Sequence, residues 1–479
     1  MSIKVYNTLT RSKEEFIPRE EGKVSIYACG ITPYDYAHIG NSRPAVFWDC
    51  VRRFLKYRGY QVDFIQNFTD VDDKIINRAK QSGKAPLELA KEYSEIYLKD
   101  LASLRVLPAD KYPRVSGHIP EIIEMVQVLI DKGYAYVLNG DVYYEVAKFQ
   151  DYGKLSSRNL EEMRAGARVE VNESKKDPMD FALWKAAKPG EISWDSPWGS
   201  GRPGWHIECS AMSIKYLGAG FDMHGGGEDL VFPHHENEIA QSEAYLGATF
   251  AKYWLHNAFV TVSGERMGKS VGNFSTIHDV MERFSPKVVR FWLIGTHYRN
   301  PISFGEEELA NAARGLERLE NAKFNWEYLL KGGLVGEDTP QPDLEEISKA
   351  IRQAEEDFIS GMEDDFNTPQ ALAGLYDLVR EINRWNQEDG FQLTESAKNL
   401  LEEALSCLTT LGGEVLGIFE EAHEGPTDAA DEEIEALIAR RAEAKKNKDW
   451  TLADQIRDEL NSKGIIIEDT PQGVRWRRE

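Results

Sequence analysis

Between Phe232 and Ala240 the chain reads Phe-Pro-His-His-Glu-Asn-Glu-Ile-Ala. Proline favours the first turn of a helix, and on such a helix His234 and Glu238, four residues apart, lie on one face. An imidazole and a carboxylate converging from one face can hold a metal ion, and two thiolates would complete a tetrahedral zinc site. Cys29, which closes an apolar run, and Cys209, at the end of Gly-Trp-His-Ile-Glu-Cys, could supply them. For any one of these residues alone, an inert buried thiol or a helix-capping histidine is the plainer explanation.

Two other stretches suit a phosphate-bearing ligand. His38-Ile39-Gly40-Asn41 lies where a loop enters a helix, and there backbone amides and the helix dipole stabilise phosphate. Gly264-Glu265-Arg266-Met267-Gly268-Lys269-Ser270 is a small-residue loop with two fixed positive charges. Such a loop can swing over a triphosphate and neutralise the charge that develops during displacement at the α-phosphorus. Taken singly, the first motif is also a turn histidine before a close-packing glycine, and the second a solvated surface turn.

The elements around these motifs follow from periodicity. Val24 to Cys29 reads as a short buried strand, followed by a turn-rich stretch from Gly30 to Tyr36. Val46, Phe47, Cys50, Val51, Phe54 and Leu55 recur at helical spacing up to Gly59, and Gln61 to Asn67 reads as a second strand. Strand, helix, strand in this order is a parallel unit whose ligand site lies beyond the carboxyl ends of its strands. The region from about 100 to 195 is mixed and polar, with a hairpin-like segment at Tyr134 to Val146, and reads as an insertion between two halves of the sheet. A linker begins near Lys331, a helical region runs to about 418, and an acidic linker near Glu420 to Glu433 isolates the tail. No internal repeat is evident.

The length of 479 residues suits three or four domains. The chain has no long apolar run, and its amino terminus lacks the basic-then-apolar pattern of a secretion signal, so a cytoplasmic protein without membrane spans is expected. Four dispersed cysteines fit a reducing compartment. A net charge of −23 argues against broad binding to polyanions. The last forty residues differ: ten Lys or Arg against eight Asp or Glu give them a local balance of +2. A separate contact surface is expected there.

In order and spacing, Cys29, His38 to Asn41, Asn67-Phe68-Thr69-Asp70-Val71-Asp72-Asp73-Lys74, Gly201 to Cys209, His224 to Gly227, the His234 segment and Arg266 to Ser270 resemble cysteinyl-tRNA synthetases. The resemblance covers nearly the whole chain, including Trp450 to Trp476. It implies an α/β fold: a Rossmann-like parallel-sheet catalytic domain of class I type, split by an insertion and followed by a helical bundle and a small anticodon-binding domain. The boundaries expected are 1–100 and 196–260 for the two catalytic halves, 101–195 for the insertion and 261–330 for the mobile-loop and stem-contact region. The bundle would take 331–425 and the tail domain 426–479. It further implies one Zn2+ on Cys29, Cys209, His234 and Glu238. ATP with Mg2+ would meet Ile31, His38, Gly40, Asn41, Lys269 and Ser270. His38, Asn41, Arg266 and Lys269 would form the catalytic set, and Thr69, Trp205 and Asp229 would hold L-cysteine. For the anticodon of tRNA(Cys), Trp450, Asp454, Arg457, Asp469 and Trp476 are candidates. A monomer is implied by the resemblance alone.

Three positions depart from the family pattern. Asn41 stands where the class I signature ends in a second histidine, so only neutral hydrogen-bond assistance is expected there. Arg266 and Gly268 replace the lysine and serine usual in the mobile loop. Ile31-Thr32-Pro33 shifts the proline after the first glycine. Three other readings compete. A cysteine ligase acting on an amino-sugar amine would lack the RNA-binding end, and a zinc hydrolase would use Glu236 as general base. A non-catalytic RNA-binding relative would keep the tail and lose activation.

Overall fold

A computed structural model describes residues 2–158, 175–269, 271–331, 344–388, 391–419, 429–470 and 473–478. Its centre is a four-stranded parallel sheet. Lys23–Ala28 lies between Gln61–Gln66 on one side and Phe221–Gly227 on the other, and Ala251–Asn257 forms the far edge. The expected strand, helix, strand unit is present. Residues 24 to 28 are buried throughout, as a parallel strand covered on both faces must be. The helix Ser42–Tyr57 buries Val46, Phe47, Cys50, Val51, Phe54 and Leu55, and the chain turns back at Gly59 with φ +87. All four strands run the same way, so their carboxyl ends open on one crevice.

The segment between the sheet halves forms a second sheet, antiparallel, in which Ala135–Leu138, Asp141–Tyr144, Phe181–Ala186 and Gly201–Pro203 pair in chain order. Asn139 and Gly140 turn the first hairpin with φ of 52 and 89, the left-handed pair that a two-residue loop requires. Beyond the central sheet, Pro286–Ile294 and Glu306–Lys331 lead to three helices, Leu344–Glu363, Thr368–Asn386 and Glu395–Thr409. Their apolar faces belong to the same continuous core as Val24, Ile26 and Phe54 of the sheet layer. The tail is separate in this respect. Helices Ala429–Lys446 and Trp450–Ser462 and the hairpin Ile465–Thr470/Gly473–Arg478 enclose a small core of Ile434, Ile438, Ile456, Leu460, Ile465 and Ile467.

One buried ionic hub ties these layers together. Arg290, fully enclosed, donates to Asp49 Oδ2 (2.6 Å), to the Leu416 carbonyl (2.7 Å) and to the Leu104 carbonyl (2.9 Å). Asp49 also takes Arg53 at 2.8 Å and the Leu107 amide at 2.8 Å. Burial opposes its charge, but Arg290, Arg53 and Arg52 hold its carboxyl below the usual carboxylate range. The helix that follows the His38 loop is thereby fastened to the end of the helical bundle. Among the described residues no helix is long and apolar enough to cross a membrane.

Candidate functional site

Cys29 is the first residue past the central strand, and its amide donates to the Gly225 carbonyl of the neighbouring strand at 2.9 Å. Gly30 follows with no room for a side chain, since a Cβ there would stand 1.6 Å from the Asn67 carbonyl oxygen. The strand end is thus pinned from both sides. Cys209 sits in the first turn of the buried helix Ile207–Leu217. His234 does not open an α-helix, as the proline suggested. Val231–His235 forms a wide π-type turn containing a cis Phe232–Pro233 bond, and the α-helix begins at Glu236. The four-residue spacing survives, with His234 Nε2 and Glu238 Oε1 2.9 Å apart.

Cys29 Sγ lies 3.7 Å from Cys209 Sγ, 3.6 Å from His234 Nε2 and 3.6 Å from Glu238 Oε1. Zinc bonds of about 2.0–2.3 Å at tetrahedral angles place ligand atoms roughly 3.3–3.8 Å apart, so the donor set fits that ion. The electrostatics agree. Cys29 and burial pull the two thiols apart: a hydrogen bond from Cys29 lowers Cys209 to about 6, while burial raises Cys29 well up. Against its burial, His234 is raised to about 10 by Glu238 and Cys209; against its own burial, Glu238 is lowered to about 2 by His224 and His234. Two of the four, Cys209 and Glu238, are thus disposed to carry negative charge, which suits a cation.

Around this set stands a layer of histidines to which the sequence reading gave no role. His224 Nε2 meets the other Glu238 oxygen at 2.8 Å, His206 Nδ1 meets His234 Nδ1 at 3.0 Å, and His235 Nε2 meets Cys29 Sγ at 3.3 Å. His235 Nδ1 passes on to His256 Nε2 at 2.7 Å. Burial keeps His206 and His235 well below their ordinary range and His256 at about 3, so these rings are neutral. Such partners fix the tautomer and direction of metal ligands. A sequence signal existed, because five of the ten histidines fall between 206 and 256. A second cluster, Cys29, His224, His235 and Glu238, shares two members with the first but has only one thiol. Two thiols make the first set the better zinc site.

The two phosphate-type loops meet. Ile39 N donates to the Ser275 carbonyl (2.9 Å) and Ile277 N to the Ala37 carbonyl (3.0 Å), which straps the His38 loop to the chain just past Lys269. Burial, then Lys269 and Arg266, lower His38 to about 4. Asn41 Oδ1 accepts from the His38 amide at 3.1 Å, so the asparagine shapes the loop and leaves only its NH2 for a ligand. Lys269 Nζ lies over the Tyr34 ring at 4.6 Å. Arg266 pairs with Asp229 at 2.9 Å and stacks on Phe259. Ile31 accepts from the Thr69 amide at 3.1 Å, and Gly40 packs on the His38 ring. Ser270 falls outside the described residues.

Three family models match in order: the tRNA synthetases class I (C) catalytic domain over residues 15–314, the DALR domain over 357–420, and the cysteinyl-tRNA ligase anticodon binding domain over 427–477. The cysteine–tRNA ligase of Carboxydothermus hydrogenoformans is 55% identical over 479 residues, covering 99% of this chain and 100% of the relative. That of Anoxybacillus flavithermus is 50% identical over 478 residues, with all of both chains covered. The chain belongs to the cysteinyl-tRNA ligase family. Among solved structures, Mycobacterium tuberculosis methionyl-tRNA synthetase with methionyl-adenylate matches with a TM-score of 0.64 at 14% identity, covering 82% of this chain and 91% of that one. A putative arginyl-tRNA synthetase from Campylobacter jejuni matches at 0.57 and 12%, covering 82% and 92%. These two share the fold.

The residues expected to hold the amino acid fall partly beside the metal set. Trp205 stands over His234 with ring centroids 4.5 Å apart, and Thr69 is buried beside Glu208 and Asn67. Asp229 lies farther out, on Arg266. In the family's anticodon module, Trp450, Asp454 and Arg457 are exposed at positions i, i+4 and i+7 of one helix and so share a face. Asp469 and Trp476 lie on the two strands of the hairpin, opposite Val474 and Ile467.

Proposed function

We propose that this chain is a cysteine–tRNA ligase: it activates L-cysteine with ATP, releasing pyrophosphate, and transfers the cysteinyl group from its adenylate to the 3′ end of tRNA(Cys). The observation that carries the reading is the closed set Cys29, Cys209, His234 and Glu238 at the carboxyl edge of the parallel sheet. Those four residues would hold Zn2+, which when bound favours the soft thiolate of cysteine over the hydroxyl of serine, where size alone would discriminate poorly. Mg2+ enters with ATP.

The chain's own groups position and neutralise. His38, neutral, and the Asn41 amide offer hydrogen bonds to ATP, with Ile31 and Gly40 shaping the loop beneath it. Arg266 and Lys269 neutralise the phosphates and Ser270 bonds them, where negative charge spreads as the carboxylate of cysteine attacks the α-phosphorus. Thr69, Trp205 and Asp229 hold the amino acid. The face bearing Trp450, Asp454 and Arg457, with Asp469 and Trp476 on the hairpin, reads the anticodon by stacking and hydrogen bonds. The two catalytic halves are 1–100 and 196–260, separated by the insertion 101–195. The mobile-loop and stem-contact region 261–330, the bundle 331–425 and the anticodon domain 426–479 follow. The enzyme acts as a cytoplasmic monomer.

A zinc hydrolase is disfavoured by a specific contact. Glu236 is fully buried and accepts the backbone amides of Gly153 (2.9 Å) and Ser156 (2.8 Å), so it has no freedom to act as a base. Cysteine-dependent exchange of pyrophosphate into ATP, lost on zinc chelation and restored by zinc, is the expected result. Thiol-independent hydrolysis without exchange would reverse the reading.

A further inference from the structure

Two tyrosines beside the His38 loop have no part in the chemistry above. Tyr36, two residues before His38, is 44% exposed, and its ring meets that of Tyr93 edge to face, with centroids 5.5 Å apart at 80°. Such a contact takes at most one face of either ring, so with that exposure Tyr36 keeps an open face. The pair is fixed from behind. Tyr93 belongs to the helix Pro86–Ser103, and one turn farther along it the Tyr97 hydroxyl donates to the Asn41 carbonyl at 3.2 Å. Both rings are thereby held against the loop proposed for ATP.

Cations line the same turn. Lys74 and Arg78, four apart on the helix Asp73–Ser82, share a face. Lys74 Nζ lies 5.7 Å from the centre of the Tyr34 ring that also carries Lys269, and Arg78 Nη2 stands 3.6 Å from Asp35 Oδ2 with its side chain 41% exposed. The nearby carboxylates have other work. Asp35 Oδ1 accepts the Tyr36 amide at 2.9 Å, Asp72 caps the Lys74 amide at 2.8 Å, and Asp73 pairs with Arg202 and Lys185. An open aromatic ring flanked by exposed cations suits a strand of unstacked nucleotides, because the ring takes a base and the cations take phosphates. The 3′ end of tRNA, which must arrive unpaired for its ribose to meet the adenylate, is such a strand.

We infer that Tyr36, backed by Tyr93, is a stacking platform for an unpaired base of the tRNA 3′ end, with Arg78 and Lys74 on its phosphates. The inference rests on the reading of this chain as a cysteine–tRNA ligase. It gives the catalytic body an RNA contact of its own, separate from the tail. The stacked base would guide the terminal ribose past the His38 loop, while the anticodon is read elsewhere.

Binding of intact tRNA(Cys) and of tRNA(Cys) trimmed of its unpaired 3′ nucleotides separates this contact from every other. With the full, zinc-loaded chain, Tyr36→Ala should weaken intact tRNA by about 5- to 100-fold and leave the trimmed tRNA unchanged, since only the intact end has a base to stack. Tyr36→Trp, which keeps an aromatic face, should retain the affinity. Arg78→Gln should weaken intact tRNA and make its binding less dependent on salt. Cysteine-dependent pyrophosphate exchange, which needs no tRNA, should be the same in Tyr36→Ala as in the wild type. Equal weakening of both RNAs, or a fall in exchange, would make Tyr36 a support of the fold or of the ATP loop and overturn the inference. Unchanged binding of intact tRNA would also overturn it. A wild-type chain without cysteine-dependent exchange would instead overturn the reading of the site, and this inference with it.

Discussion

Replacing Cys209 by serine removes the thiol that ionises first in the metal set. The purified chain should hold about one zinc, and Cys209→Ser or His234→Ala should lose it by elemental analysis. Full zinc in both variants would discard the assignment. Lys269 lies over Tyr34 next to the His38 loop, and the role proposed for it is to act on charge that grows during displacement. Lys269→Ala should therefore lower the turnover of pyrophosphate exchange by about 100- to 1,000-fold with little change in the KM for ATP. A raised KM with unchanged turnover would mark a binding clamp only. His38 gains its proton only as pH falls through about 4. Between pH 6 and 8 its charge is constant, and His38→Asn should slow exchange while keeping the wild-type pH profile. A rate that rises toward pH 6 in the wild type and not in the variant would show a charged role. The four proposed ligands were legible because local spacing and thiol placement are sequence properties. His206, His224, His235 and His256 were not, since their roles come from strands and turns that meet only in the folded chain.

The strand Lys23–Ala28 could be read from the sequence to within a residue, and the helix Ser42–Tyr57 by its apolar face and its end near Gly59, though not its start. The turn Val231–His235 could not, because proline marks a helix start and a break equally well, and packing decides between them. Nor could the closing strand Gly201–Pro203, whose partner Phe181–Ala186 is chosen by long-range pairing. The joints between elements carry their own expectation. Arg290→Met leaves Asp49 buried without one of its cations and two backbone carbonyls without a donor. It should destabilise the catalytic body by about 3–5 kcal/mol, seen as a lower urea midpoint. Gly417→Ala should act on the same joint. Its φ is +66, and a Cβ there would stand 2.6 Å from Arg290 Nη2. A midpoint unchanged in both variants would show that the hub is dispensable.

The whole molecule divides at the acidic linker. The tail has its own small core, whereas the bundle shares one core with the sheet, so a cut after Glu424 should spare the catalytic body. Cysteine-dependent exchange should persist nearly intact, and charging of tRNA should fall by several orders of magnitude, since each stacked base contributes about 1–3 kcal/mol. A folded, zinc-loaded truncation that charges as well as the full chain would remove the tail from anticodon reading. Net charge misled at this scale: −23 averages over a chain whose last forty residues carry a local balance of +2 and match an anticodon binding domain over 427–477. The order of the parallel sheet has a consequence for synthesis. Lys23–Ala28 and Gln61–Gln66 emerge early from the ribosome, but the neighbour that covers the inner edge is Phe221–Gly227. At about 5–20 residues per second, that edge waits on the order of ten to thirty seconds for its partner. During that interval the nascent chain presents an open strand of buried-type sequence, which makes it a client for holding chaperones long before it can bind any substrate.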